Sequence, residues 1–157
     1  MKITKEWLEG KKACSKGVDW FVKQKETDGV VVVKKLIKEK LFDWANWLIV
    51  RIMDYKQRVS YAVFAAEKVI SIYEKKYPDD NRPRAAIEAA KKCIENPSKE
   101  NKKAAAADAA AAYAAADAAY AAADAAAADA AAMRIKILDY GIELLTDSST
   151  CGAVEKA

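Results

Sequence analysis

From Ala104 to Ala132, 23 of 29 residues are alanine. Alanine has the highest intrinsic helix propensity, so this tract is expected to be helical on local grounds. At ~1.5 Å per residue it would be roughly 44 Å long. Alanine buries little area, so such a helix offers its neighbours a close approach instead, and the large apolar side chains must come from the rest of the chain. The expected fold class is therefore all-α, a multi-helix bundle packed around a long alanine-rich helix.

The other 128 residues fit that expectation. Glycine and proline total eight, and they stand between periodic segments. Ser15 is placed to cap a helix with Val18, Phe21 and Val22 inward, and Asp28 to cap one that runs on from Val30 through Val33, Leu36 and Ile37. Asp43 can start a third, carrying Trp44, Trp47, Leu48 and Arg51. After Asp54, Val59, Val63, Ala66, Ile70, Tyr73 and Tyr77 recur at spacings of four and three until Pro78 forbids continuation. Pro83 suits the first turn of the next helix, with Ala86, Ile87, Ala90 and Ile94 inward, and Asn96-Pro97 stops it. A last stripe is Ile135, Leu138, Ile142 and Leu145.

A chain of 157 residues falls in the range of one domain, read here as residues 1–146 with a flexible C-terminal tail, 147–157. Cys14, Cys93 and Cys151 are odd in number and far apart, with no apparent signal peptide, which suits a reducing compartment and a cytoplasmic location. The strongest apolar run, Trp44 to Val50, is far short of the ~20 residues a membrane span needs.

Catalytic chemistry finds little to work with. There is no histidine, hence neither the commonest general base nor the commonest metal ligand. The cysteines lack CxxC spacing, and no phosphate-binding glycine loop occurs. Neither metal nor cofactor is expected, and no catalytic residue is assigned. Asp79-Asp80 reads as a water-facing turn beside Pro78.

Inside the alanine tract, Tyr113, Asp117, Tyr120 and Asp124 fall within about 60° of one another on a helix, forming one polar stripe, while Asp108 and Asp129 point elsewhere. Enclosed aspartates need partners, and arginine is the natural one. Arg51, Arg82 and Arg84 are the candidates for buried ion pairs that would fix helix register. The same stripe could instead be a polar binding groove for a partner. An ice-binding surface does not fit, because the aspartates are spaced nine, seven and five apart, without a regular threonine repeat.

The net charge of +4 is uneven: the tract holds four aspartates and no lysine or arginine, whereas residues 1–40 hold eleven lysines against six acids. Solvated helix faces explain such an excess, and so would an acidic partner. Trp7, Trp20, Trp44 and Trp47 suit a core better than a nucleic-acid platform. Association with nucleic acid or a nucleotide through lysine-rich faces is the second functional class.

Trp20-Phe21, Asp43-Trp44-Ala45-Asn46-Trp47-Leu48, Tyr61-Ala62, Tyr77-Pro78 and Arg82-Pro83-Arg84-Ala85-Ala86-Ile87, followed by an Ala/Tyr tract, stand in an order that resembles alanine-rich phage and bacterial proteins labelled immunity proteins of polymorphic toxin systems. The resemblance spans roughly residues 7–145, and its most specific part is Pro-Asp-x-x-Arg-Pro-Arg-x-Ala-Ile. It implies an all-helical, non-enzymatic protein that binds a protein target, a toxin or a host defence complex, in stoichiometric fashion.

Overall fold

The computed structural model describes residues 1–96, 98–100 and 127–147, and among them the protein is all-helical. The helices are α1 (Lys5–Gly10), α2 (Ser15–Gln24), α3 (Gly29–Lys38), α4 (Phe42–Ile52), α5 (Tyr55–Lys76), α6 (Arg82–Glu95) and α7 (Ala127–Thr146). The last six residues of the alanine tract, 127–132, form the first turns of α7. The expected central rod otherwise lies outside the described residues. Contacts divide the chain into two compact units, one of residues 1–54 and 138–157, the other of residues 55–137.

In the first unit α1 packs on α2 and α3 on α4. Asp28 caps α3 as expected, its Oδ1 accepting from the backbone N–H groups of Val30 and Val31 at 3.0 and 3.1 Å. Glu26 in turn accepts from the N–H groups of Thr27 and Asp28, which holds its carboxyl below the ordinary range, Asp28 first. Ser15 opens α2, but Cys14 occupies the cap position and no side chain bonds there. Leu41 holds the cap of α4, leaving Asp43 in the first turn, where its charge still favours the helix N-terminus.

Helices α1 and α3 both end in paired backbone bonds that close on a left-handed residue. Lys12 and Ala13 donate to Glu9 and Leu8, and Lys40 and Leu41 donate to Ile37 and Leu36. Such positions favour glycine, yet Lys12, Lys25 and Lys40 occupy left-handed conformations at φ 59°, 53° and 60°.

Ile3, Val32, Val33, Leu36, Leu48 and Ile49 are buried in this unit. Val18 and Phe21 are buried as expected, but Val22 is 52% exposed, because the inward arc of α2 is narrower than three residues in five would need. The four tryptophans are half-buried. Trp20 meets Trp44 edge-on at 6.5 Å and donates its indole N–H to Glu39 at 2.8 Å. In α7, Leu138 is buried with its neighbour Ile137, whereas Ile135, expected inward, is partly exposed.

The N-terminal segment is threaded against the start of α3. Ile3 N–H donates to Thr27 at 2.7 Å, and Gly29 N–H donates to Met1 at 2.9 Å. A Cβ at Gly29 would lie 3.2 Å from both the Met1 carbonyl oxygen and Ile3 Cδ1. One of those neighbours is backbone and cannot swing away. Gly29→Ala is therefore expected to destabilise the first unit by about 1–3 kcal/mol, measurable as a lower urea midpoint; an unchanged midpoint would show that the segment yields freely.

Candidate functional site

The second unit is built on the pairing of α5 with α6. Val63, Ile70 and Ile87 form its buried cluster, flanked by Val59, Ala66, Ala90 and Ile94, which is the stripe read from the sequence. Tyr73 is half-buried and Tyr77, at the end of that stripe, is exposed. Pro83 stands in the first turn of α6 and is buried. Cys93 is also buried, and its thiol lies 3.1 Å from the Tyr55 hydroxyl.

Two ion pairs run along the outside of α5 and α6. Lys91 meets Glu67 at 2.8 Å, and Arg84 binds Glu74 through both Nε and Nη2, at 2.6 and 2.7 Å. The acids are seven residues apart on α5 and the cations seven apart on α6, in opposite order. Seven residues make about two turns, so the pairs mark an antiparallel register. Each partner stabilises the other's charge: Arg84 lowers the carboxyl of Glu74, Glu74 raises Arg84, and Glu67 followed by Glu88 raises Lys91.

Between the helices, the turn carries a constellation of four hydrogen bonds on one carboxylate. Asp80 Oδ2 accepts from the Tyr73 hydroxyl at 2.8 Å and from Arg82 Nη2 at 2.7 Å. Its Oδ1 accepts from Arg82 Nε at 2.8 Å and from the Arg82 backbone N–H at 3.1 Å. Arg82, and then Tyr73, hold the Asp80 carboxyl well below the usual carboxylate range. Asp80 in return raises both Arg82 and the Tyr73 phenol. Tyr77 lies against Tyr73, ring centroids 4.9 Å apart, with the Lys76 ammonium 5.5 Å from the Tyr77 ring.

These shifts drive Asp80 down and Tyr73 up, both away from neutral pH, the reverse of what acid–base catalysis requires. The constellation is suited to holding a shape. Asp80 is 18% exposed, while Arg82 is 80% and Tyr77 44% exposed, so a largely covered carboxylate holds an arginine that faces solvent and the half-buried tyrosine against which exposed Tyr77 lies. Tyrosine and arginine held in place without further ordering are the residue types that dominate binding hot spots. No group of His, Cys, Asp and Glu able to hold a metal occurs among the described residues.

The expected burial of Arg51, Arg82 and Arg84 is corrected: all three are exposed. Arg51 lies 3.9 Å over the Trp47 ring and donates to the Trp47 carbonyl at 2.9 Å. Arg82 and Arg84 take acids two and ten residues away, since a turn and an antiparallel helix bring those carboxylates within reach at the surface without the cost of desolvation. Tyr113, Asp117, Tyr120 and Asp124 lie outside the described residues. Asp79 faces water as expected, but Asp80 does not, and Tyr73, Glu74 and Asp80 are the site residues that sequence reasoning left unassigned.

The turn thus presents a prearranged Tyr/Arg surface on an all-helical unit. The chain belongs to the Imm-5 like putative immunity protein family, whose model matches residues 49–145 and so includes all of α5, the turn and α6. Residues 1–56 are similar to the YdhT N-terminal domain. No curated protein and no solved structure matches the chain. No described helix is long and apolar enough to cross a membrane.

Because Asp80 is depressed by its partners, it contributes stability that is complete above the ordinary carboxylate value of 3.8 and is lost as the pH falls toward its own lower value. Asp80→Asn removes that contribution. The variant is expected to melt lower than the parent at neutral pH and to lose less on acidification from about pH 5 to about pH 2. Parallel melting curves across that range would contradict the clamp.

Proposed function

We propose that this protein neutralises a protein toxin by stoichiometric, non-enzymatic binding in the cytoplasm, and that the turn between α5 and α6 supplies part of the contact. The observation that carries the reading is the coincidence of the two: the preformed Tyr73–Asp80–Arg82 constellation lies inside the segment matched by the immunity-protein family. An inhibitor that must meet its target on first encounter gains from a surface already ordered, because less side-chain freedom is lost on binding. Arg82 keeps Nη1 free of the carboxylate, and Tyr77 keeps much of its ring in solvent. Both can therefore reach a partner without breaking the clamp.

The test is titration calorimetry with a toxin domain whose activity this protein suppresses in co-expression. A one-to-one complex is expected, weakened by roughly 30-fold in Tyr77→Ala and in Arg82→Ala, in line with the ~2 kcal/mol of a hot-spot truncation. Melting temperature should change little in Tyr77→Ala, whose side chain is exposed. Toxin neutralised by substoichiometric amounts would contradict the binding mechanism, and full affinity in both variants would move the contact elsewhere.

A further inference from the structure

The first unit carries exposed lysines that take no part in the α5–α6 turn. On α2, Lys16 and Lys23 stand seven residues apart on one exposed line, and on α3 Lys34 and Lys38 stand four apart on another. None of the four makes an ion pair among the described residues. The acids nearby are occupied differently: Glu26 and Asp28 bind backbone N–H groups at the start of α3, and Glu39 accepts from the Trp20 indole. Glu9 pairs with Lys5 and Asp28 also meets the N-terminal ammonium, and on α2 exposed Asp19 stands three residues after Lys16 and four before Lys23, while the four lysines themselves face water.

We propose that the lysine-bearing faces of α2 and α3 bind the phosphate backbone of duplex nucleic acid, independently of the surface at the α5–α6 turn. Three observations favour that partner. Lysine is a point charge suited to phosphate, and protein interfaces are depleted in it. The tryptophans that could stack single-stranded bases are half-buried and already engaged, Trp47 beneath Arg51 and Trp20 against Trp44. Lys34 and Lys38 lie about 6 Å apart along the helix axis, and a duplex offers a charge every ~1.7 Å of its length, so each ammonium finds a phosphate without a special register. Such binding positions the protein and reads no sequence.

The experiment uses the full chain and a fluorescent random duplex of about 20 base pairs, titrated across salt concentrations. The parent is expected to bind at low salt, with log affinity falling linearly in log salt. The variant K16Q/K23Q/K34Q/K38Q should bind at least ~10-fold more weakly, with a salt slope shallower by about three to four. Glutamine keeps helix propensity, so circular dichroism should be unchanged; if the fourfold variant does not fold, K34Q/K38Q is expected to show a slope shallower by about two. Absence of duplex binding at low salt, an unaltered slope in the folded variant, or binding to phosphatidylserine vesicles or polyglutamate in preference to the duplex would each overturn the proposal. Toxin affinity of the variant should equal the parent's, so this test and that of the immunity reading fail separately.

Discussion

One carboxylate organises the turn between α5 and α6. Asp80 receives four hydrogen bonds, from a tyrosine on α5 and from three N–H groups of Arg82, at the first residue of α6. A turn of five polar or proline residues would otherwise be free to adopt many conformations. With Asp80 in place, the end of α5, the turn and the beginning of α6 share one anchor. Charge-assisted bonds of this kind are short and directional, so they fix where Arg82 and Tyr77 stand as well as holding the chain.

That anchor works because the helices on either side are already in register. Val63, Ile70 and Ile87 supply the apolar contact, and Glu67–Lys91 with Glu74–Arg84 mark the antiparallel alignment on the outside. Exposed ion pairs add little stability on their own. Their value here is positional, since a slip of α6 by one residue would break both together. In the first unit Asp28 caps a helix and Glu39 anchors the Trp20 indole, and helix ends tolerate lysine where glycine would be less strained.

Much of the fold was legible in the sequence because the signals are local. Asp28 before an apolar run, Pro83 at a helix start and Asn96 at a helix end each act within a turn of their own position. The site was less legible. Asp79 and Asp80 are identical neighbours in the sequence, and which one turns inward depends on Tyr73, a full seven residues earlier, and on Arg82 beyond the turn. The pairing of Arg84 with Glu74 likewise requires the antiparallel register. Reasoning from composition directed the arginines to the aspartates of the alanine tract, whereas proximity along a turn and a helix pair gave Arg82 and Arg84 nearer acids.

The most direct measurement is the titration of the Asp80 carboxyl carbon by NMR in the free protein. If the clamp forms before any partner is present, Asp80 remains ionised through the ordinary value of 3.8 and titrates only below it. A midpoint at or above 3.8 would mean that Tyr73 and Arg82 do not hold the carboxylate in solution, and the account of a preformed binding surface would be wrong.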